Sequence, residues 1–228
     1  NGEQANNPWV QELPDPVTKA TWDNYIMVSP IVAKDQDIKT GDVLELKALG
    51  VSIKLPAIVQ PGVDSNTIGV ALGYGRKIAG KVAKGLGANA YPFIRHIGGT
   101  HSLHDAEVES LKKTGAHRGL AQTQTHHSME GRDIVRETTF DSYQKDNSAG
   151  NKPKMKLAQI YPGHTQGGHQ WAMAIDMNTC TGCSSCIVSC NSENNVPVVG
   201  RAEVKNRREM HWLRIDRYYA GDEQNPET

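Results

Sequence analysis

All four cysteines of this 228-residue chain lie in one stretch, CTGCSSCIVSC, from Cys180 to Cys190. Thiols this close together cannot cross-link distant parts of a fold. Zinc ribbons separate two C-x2-C pairs by many residues, and c-type haem attachment needs C-x-x-C-H, whereas Ser184 and Ile187 follow Cys183 and Cys186 here. The spacing C-x2-C-x2-C-x3-C is that of a bacterial-ferredoxin [4Fe–4S] motif, whose iron favours soft thiolate ligands.

The same spacing predicts how the thiolates are divided. In this arrangement the fourth cysteine ligates a different cluster from the first three. We therefore predict that Cys180, Cys183 and Cys186 bind a first [4Fe–4S] cluster and that Cys190 binds a second. With no other cysteine in the sequence, the remaining ligands are expected outside residues 1–228.

The residues around the thiols carry two further predictions. The stretch IVSCNSEN after Cys186 is predicted to be helical and to carry Cys190 about one turn beyond Cys186. Hydrogen-bond donors near the sulfurs tune such clusters. The candidate donors are Asn178, Thr179, Thr181, Ser184 and Ser185.

Composition excludes some functions. Lysine plus arginine equals aspartate plus glutamate at 25 each, so no basic field exists to attract nucleic acid. No apolar run approaches the roughly 20 residues of a membrane-spanning helix. We identify no nucleophile or general base, and hence no catalytic residue.

Residues 21–72 are predicted to form a small β-barrel with one short helix. Ser29 and Pro30 are typical of a helix start, and Pro56 indicates an edge strand or a bulge. The predicted strands are Tyr25 to Val28, DVLELKA (42–48), VSIKLPAIV (51–59) and Thr67 to Leu72.

The remaining segments have weaker patterns. Residues 73–90 are glycine-rich but lack the Rossmann spacing, which favours a surface loop. Residues 99–169 lose periodicity and are predicted to be an irregular arm against other protein; His101 and His104 could share a metal, but solvated histidines are favoured. WLRIDRYYAG (212–221) is predicted to be a strand, and both chain ends are expected to continue into a longer fold.

Two stretches resemble known families. WAMAIDMNTCTGCSSCIVSCNSENNVPVVG (171–200) resembles the first cluster motif of the four-cluster ferredoxin subunits that accompany molybdoenzymes. NPWVQELPDPVTKATWDNYIMVSP (7–30), with the region after it, resembles the molybdopterin-dinucleotide-binding domain of their catalytic subunits. Together the two stretches resemble the family of B subunits of alternative complex III, a bacterial quinol oxidoreductase.

The resemblance implies a β-rich α+β fold. Residues 1–98 would form a double-psi β-barrel, residues 99–169 a linker arm, and residues 170–228 an incomplete ferredoxin-like domain. It also implies that Gly73 to Gly87 bind no molybdopterin.

It further implies a function, partners and a location. Electrons would pass from quinol toward a cytochrome, at the periplasmic face of the inner membrane. The partners would be a multihaem cytochrome c, a quinol-binding membrane subunit and the rest of the same subunit. The alternatives are a fused molybdoenzyme of the polysulfide or formate reductase type, with its pterin bound, and a structural module.

Overall fold

The computed structural model describes residues 2–151, 158, 160–165, 167–222 and 225–227, which form a mixed α+β, sheet-rich protein. The helices are α1 (Pro8–Gln11), α2 (Pro30–Asp35), α3 (Phe140–Lys145), α4 (Ser185–Glu193) and α5 (Arg201–Lys205), with a 3-10 turn at Tyr91–Phe93. The strands are β1 (Ala20–Thr21), β2 (Ile26–Val28), β3 (Asp42–Ala48), β4 (Val51–Val59), β5 (Gly69–Val70), β6 (Arg95–Ile97), β7 (Thr100–Ser102), β8 (Val108–His117), β9 (Ala121–Gln122), β10 (Ala220–Gly221) and β11 (Pro226–Glu227).

The described residues divide into two compact units. The first contains the residues up to Ser128 together with those from Gly182 onward, and the second contains Met129–Thr181. The second unit holds α3, which begins after the side-chain cap of Thr139, and its other described residues are irregular. These limits differ from the predicted boundaries at residues 98 and 169.

A five-stranded sheet forms the centre of the first unit, in the order β5-β2-β4-β3-β8. β2 and β4 are parallel and the other neighbours are antiparallel. Alternating apolar residues of β3 and β4 point into the core, as the sequence pattern predicts. The buried core consists of Ile26, Val28, Ala33, Ile38, Leu44, Leu46, Ile53, Leu55 and Ala57.

The predicted helix after Ser29 is confirmed as α2. The Ser29 hydroxyl oxygen accepts the Val32 N–H at 3.2 Å, and Pro30 occupies the first turn, where a missing N–H costs nothing. The predicted strands 42–48 and 51–59 are confirmed as β3 and β4.

Pro56 does not mark an edge strand, because β4 lies between β2 and β3. Residues 51–56 of β4 pair with β3, and residues 57–59 pair with β2. Pro56 therefore sits where pairing passes from one neighbour to the other, a position at which a residue without an N–H donor is tolerated.

Two other predictions about segments were wrong. Residues 108–117, expected to be irregular, form β8, which pairs with β3 through register shifts near both ends of the ladder. The segment 212–219, expected to be a strand, is irregular, and only Ala220–Gly221 pairs. The predicted strand 67–72 is confirmed only at Gly69–Val70.

The strands of the described residues pair in open sheets and not in a closed ring. Because this pairing does not itself show a double-psi β-barrel, that fold stays a prediction for residues 1–98. No helix in the described part of the chain has the length and apolar character to cross a membrane.

Candidate iron–sulfur site

Helix α4 carries two of the four thiols. It begins after Ser184, whose backbone is left-handed (φ 62°) and whose hydroxyl donates to the Gly182 carbonyl at 3.3 Å. Cys186 and Cys190 lie four residues apart along α4 and therefore project from the same side, one turn apart. The predicted helix after Cys186 is confirmed.

None of the four thiols is in a disulfide, and all are at least partly exposed to solvent. Cys180, Cys183 and Cys186 are exposed and Cys190 is half-buried, without a disulfide. Cys183, Cys186 and Cys190 belong to the first unit and Cys180 to the second. No three His, Cys, Asp or Glu side chains among the described residues are grouped to hold a metal ion. The division of the four thiolates between two clusters stays a prediction.

Two of the sulfurs lie within hydrogen-bonding distance of neighbouring side chains, one of which belongs to a predicted residue. The Cys183 thiol donates to the Ser185 hydroxyl at 3.4 Å, whereas the hydroxyl of Thr179 is used on the Asp176 carbonyl. Asn194, which sequence reasoning missed, donates to the Cys190 sulfur at 3.5 Å and to its carbonyl at 3.0 Å. Its position four residues after Cys190, on a predicted helix, could have indicated this contact, because residues i and i+4 of a helix are neighbours.

The chemistry of this donor set fits an iron–sulfur cluster. Thiols that are exposed, unbridged and within hydrogen-bonding distance of polar side chains are available as soft anionic ligands. Cys180, Cys183, Cys186 and Cys190 are the residues that would hold iron.

Asn191, directly after Cys190, is buried and packs against a histidine. Its side-chain nitrogen lies 3.2 Å from Nδ1 of His211. Burial lowers the pKa of His211, against the opposing charges of Glu12 and Glu209.

His101 and His104 belong to no group of three or more potential metal ligands among the described residues. His101 instead faces His96 across the β6–β7 hairpin, with ring centroids 4.3 Å apart and the rings edge to face. Neighbouring imidazoles on paired strands thus account for the position of His101.

The glycine-rich loop is closely held by its own chain. Asn6 accepts the N–H groups of Val82 and Ala83 at 3.1 and 3.4 Å. Asp23 accepts the Gly87 N–H at 3.1 Å, and Asn24 accepts the Ala88 N–H at 2.9 Å. Those backbone donors, which a phosphate would otherwise use, are therefore already satisfied.

Space beside the loop is equally restricted. The cleft between Gln11 and the segment Gly73–Arg76 leaves no room for a water-sized sphere. A Cβ at Gly87 would stand 2.3 Å from the Asn24 side-chain oxygen. The absence of a pterin dinucleotide at this loop stays a prediction.

Two curated proteins are partly similar to this chain. The molybdopterin-containing subunit of thiosulfate reductase from Salmonella typhimurium is 36% identical over 83 residues, covering 36% of this chain and 10% of that protein. The iron–sulfur cluster-binding subunit of menaquinone reductase from Nitratidesulfovibrio vulgaris is 38% identical over 45 residues, covering 19% of this chain and 17% of that protein. The matches thus span a small part of either relative, and no family model matches the chain.

Proposed function

We propose that this chain is an iron–sulfur electron-transfer subunit of a membrane-attached quinol oxidoreductase of the alternative complex III type. The observation that carries the proposal is the set of four thiols at ferredoxin spacing, none of them in a disulfide and two of them one turn apart on α4. The partial similarities to a molybdopterin-containing and to an iron–sulfur reductase subunit support the broader electron-transfer class.

The chain's own residues would bind the clusters and tune their potential. Cys180, Cys183 and Cys186 would supply three thiolates to one [4Fe–4S] cluster and Cys190 one thiolate to a second, with cysteines from outside residues 1–228 completing both. Such clusters supply reversible one-electron chemistry, and hydrogen bonds to the sulfurs set their potential. Ser185 and Asn194 are placed to make such bonds.

The proposed setting follows the family resemblance. The chain would lie at the periplasmic face of the bacterial inner membrane and relay electrons from a quinol-binding membrane subunit toward a multihaem cytochrome c. The N-terminal part would be a double-psi β-barrel without a pterin. The engaged loop donors of Val82, Ala83, Gly87 and Ala88 support that last point.

A second candidate is a molybdoenzyme with a bound pterin, which the similarity to the thiosulfate reductase subunit favours. Metal analysis of the intact protein separates the two. We expect iron and sulfide at cluster stoichiometry without molybdenum. Molybdenum near one atom per chain, with a fluorescent pterin after oxidation, would reject our proposal in favour of the molybdoenzyme.

The division of the thiolates is tested by two matched variants. In the assembled complex, Cys190→Ser should alter the spectrum of one cluster and leave the other intact, and Cys183→Ser should do the reverse. Electron paramagnetic resonance of the reduced protein reports both. If the two variants damage the same cluster, all four cysteines serve one centre.

A further inference from the structure

Two buried carboxylates in the N-terminal part of the first unit hold the segment that follows α4. Glu12 is 2% exposed and Asp23 is 3% exposed. Carboxylates this deeply buried need partners to offset the loss of hydration. In both cases the partners include residues 199–201, far away in sequence.

Glu12 binds backbone N–H groups. One of its oxygens accepts the Val199 N–H at 3.0 Å, and the other accepts the Gly200 N–H at 2.7 Å. The indole N–H of Trp22 lies 3.2 Å from that second oxygen. Three donors converge on one charged acceptor, and hydrogen bonds to a charge are the stronger kind. The carboxylate therefore fixes the backbone at 199–200.

Asp23 holds the next residue. Nη1 of Arg201 lies 3.1 and 3.0 Å from the two Asp23 oxygens, and one of these oxygens also accepts the Gly87 N–H. The Asp23 side chain is 2% exposed, against 40% for Arg201, so the pair sits at the edge of the buried region.

These contacts bear on Cys186 and Cys190 because they hold α4, the helix that carries both residues. Glu12 caps the C-terminus of α1, and α1 packs beside α4. Beyond the end of α4, the Val196 N–H donates to the Asn191 carbonyl at 2.9 Å, which draws the chain back onto the helix. Val198 and Val199 then pack against Trp22 and Leu86. Residues from the N-terminal part of the chain thus contact α4 along one side and hold the segment that follows its C-terminal end.

We propose that Glu12 and Asp23 are positioning residues for Cys186 and Cys190: by holding residues 199–201, they fix the orientation in which α4 presents both thiols. The inference rests on the proposed function for its meaning, since the thiols matter as cluster ligands. The N-terminal half would then serve as the rigid support of the iron–sulfur segment, whether or not it binds a cofactor.

The test compares Glu12→Gln and Asp23→Asn with Asp35→Asn, an exposed carboxylate outside the network, in the intact protein. A glutamine at position 12 turns a donor toward one of the two backbone N–H groups. We expect hydrogen exchange over residues 195–205 to accelerate roughly 10- to 100-fold in Glu12→Gln. Exchange over α4 should also accelerate, while β3, β4 and the Asp35→Asn protein keep wild-type rates.

Two readouts separate positioning from general stability. After iron removal, the alkylation rate of Cys190 relative to Cys183 should rise in Glu12→Gln. In the loaded protein, the paramagnetic signal of the Cys190 cluster should change shape while the iron content is retained. Unchanged exchange over α4 and an unchanged alkylation ratio in both variants would overturn the inference.

Two outcomes need a further comparison. If Glu12→Gln does not fold, Arg201→Lys makes the same comparison, because it keeps the charge but alters the geometry of the contacts to Asp23. If the wild-type protein binds no iron, the proposed function fails, whereas the exchange and alkylation results still decide the positioning role.

Discussion

Replacing Gly182 with alanine tests the turn that lies between the cysteines. Gly182 has φ 69°, and a Cβ built on it would stand 3.0 Å from the Cβ of Pro16. A left-handed backbone costs a non-glycine residue about 1–2 kcal/mol. The close contact adds about 1 kcal/mol, at the low end of the range for overpacking. We expect Gly182→Ala to lower the free energy of unfolding by about 2–3 kcal/mol.

Urea denaturation of the intact protein measures this loss, which corresponds to a midpoint shift of roughly 1 M. Two alanine variants separate the contributions. Gly50 has φ 72° with no heavy atom within 4 Å of its built Cβ, so Gly50→Ala reports the backbone strain alone. Gly119 lies outside the left-handed region and is also uncrowded, so Gly119→Ala should be neutral or slightly stabilising. If the Gly182→Ala and Gly119→Ala proteins have the same urea midpoint, the reasoning about this turn is refuted.

Three further predictions concern the core, the glycine-rich loop and pH. Leu44→Ala should lower the free energy of unfolding by about 2–5 kcal/mol, because Leu44 is fully buried in the sheet core. In the same denaturation assay Leu103→Ala, at a 56% exposed position, should lower it by less than about 1 kcal/mol. Asn24→Ala should leave the Ala71 and Ala88 carbonyls and the Ala88 N–H without their side-chain partner, at about 1–3 kcal/mol for each group left unpaired, and hydrogen exchange should accelerate first at residues 86–90. Burial lowers the pKa of His211 below its ordinary 6.5, so the unfolded chain takes up the proton at a higher pH than the folded protein does. The contribution of His211 to stability should therefore be complete above about pH 6.5 and be lost as the pH falls through the folded-state pKa. Replacing His211 with Asn should flatten this part of the stability–pH profile, and an unchanged profile would contradict the assignment.

Local chemistry in the sequence was enough to predict several elements. Ser29 and Pro30 placed the start of α2, because a side-chain cap and a proline act within one helical turn. The alternation in residues 42–48 and 51–59 predicted β3 and β4, since the periodicity of an element facing a core is written in its own residues. The stretch IVSCNSEN likewise predicted the helix that carries Cys190, whereas the iron–sulfur site stays a prediction.

Contacts between distant residues were decided by the tertiary structure alone. β8 consists mostly of exposed residues without a clear alternation, and it is a strand because it pairs with the open edge of β3. Pro56 is tolerated inside a central strand because pairing changes partner there. Glu12 has no local pattern that predicts its bonds to Val199 and Gly200. Such partners depend on which backbone groups remain unpaired once the chain has folded, and the neighbouring residues in the sequence do not record that.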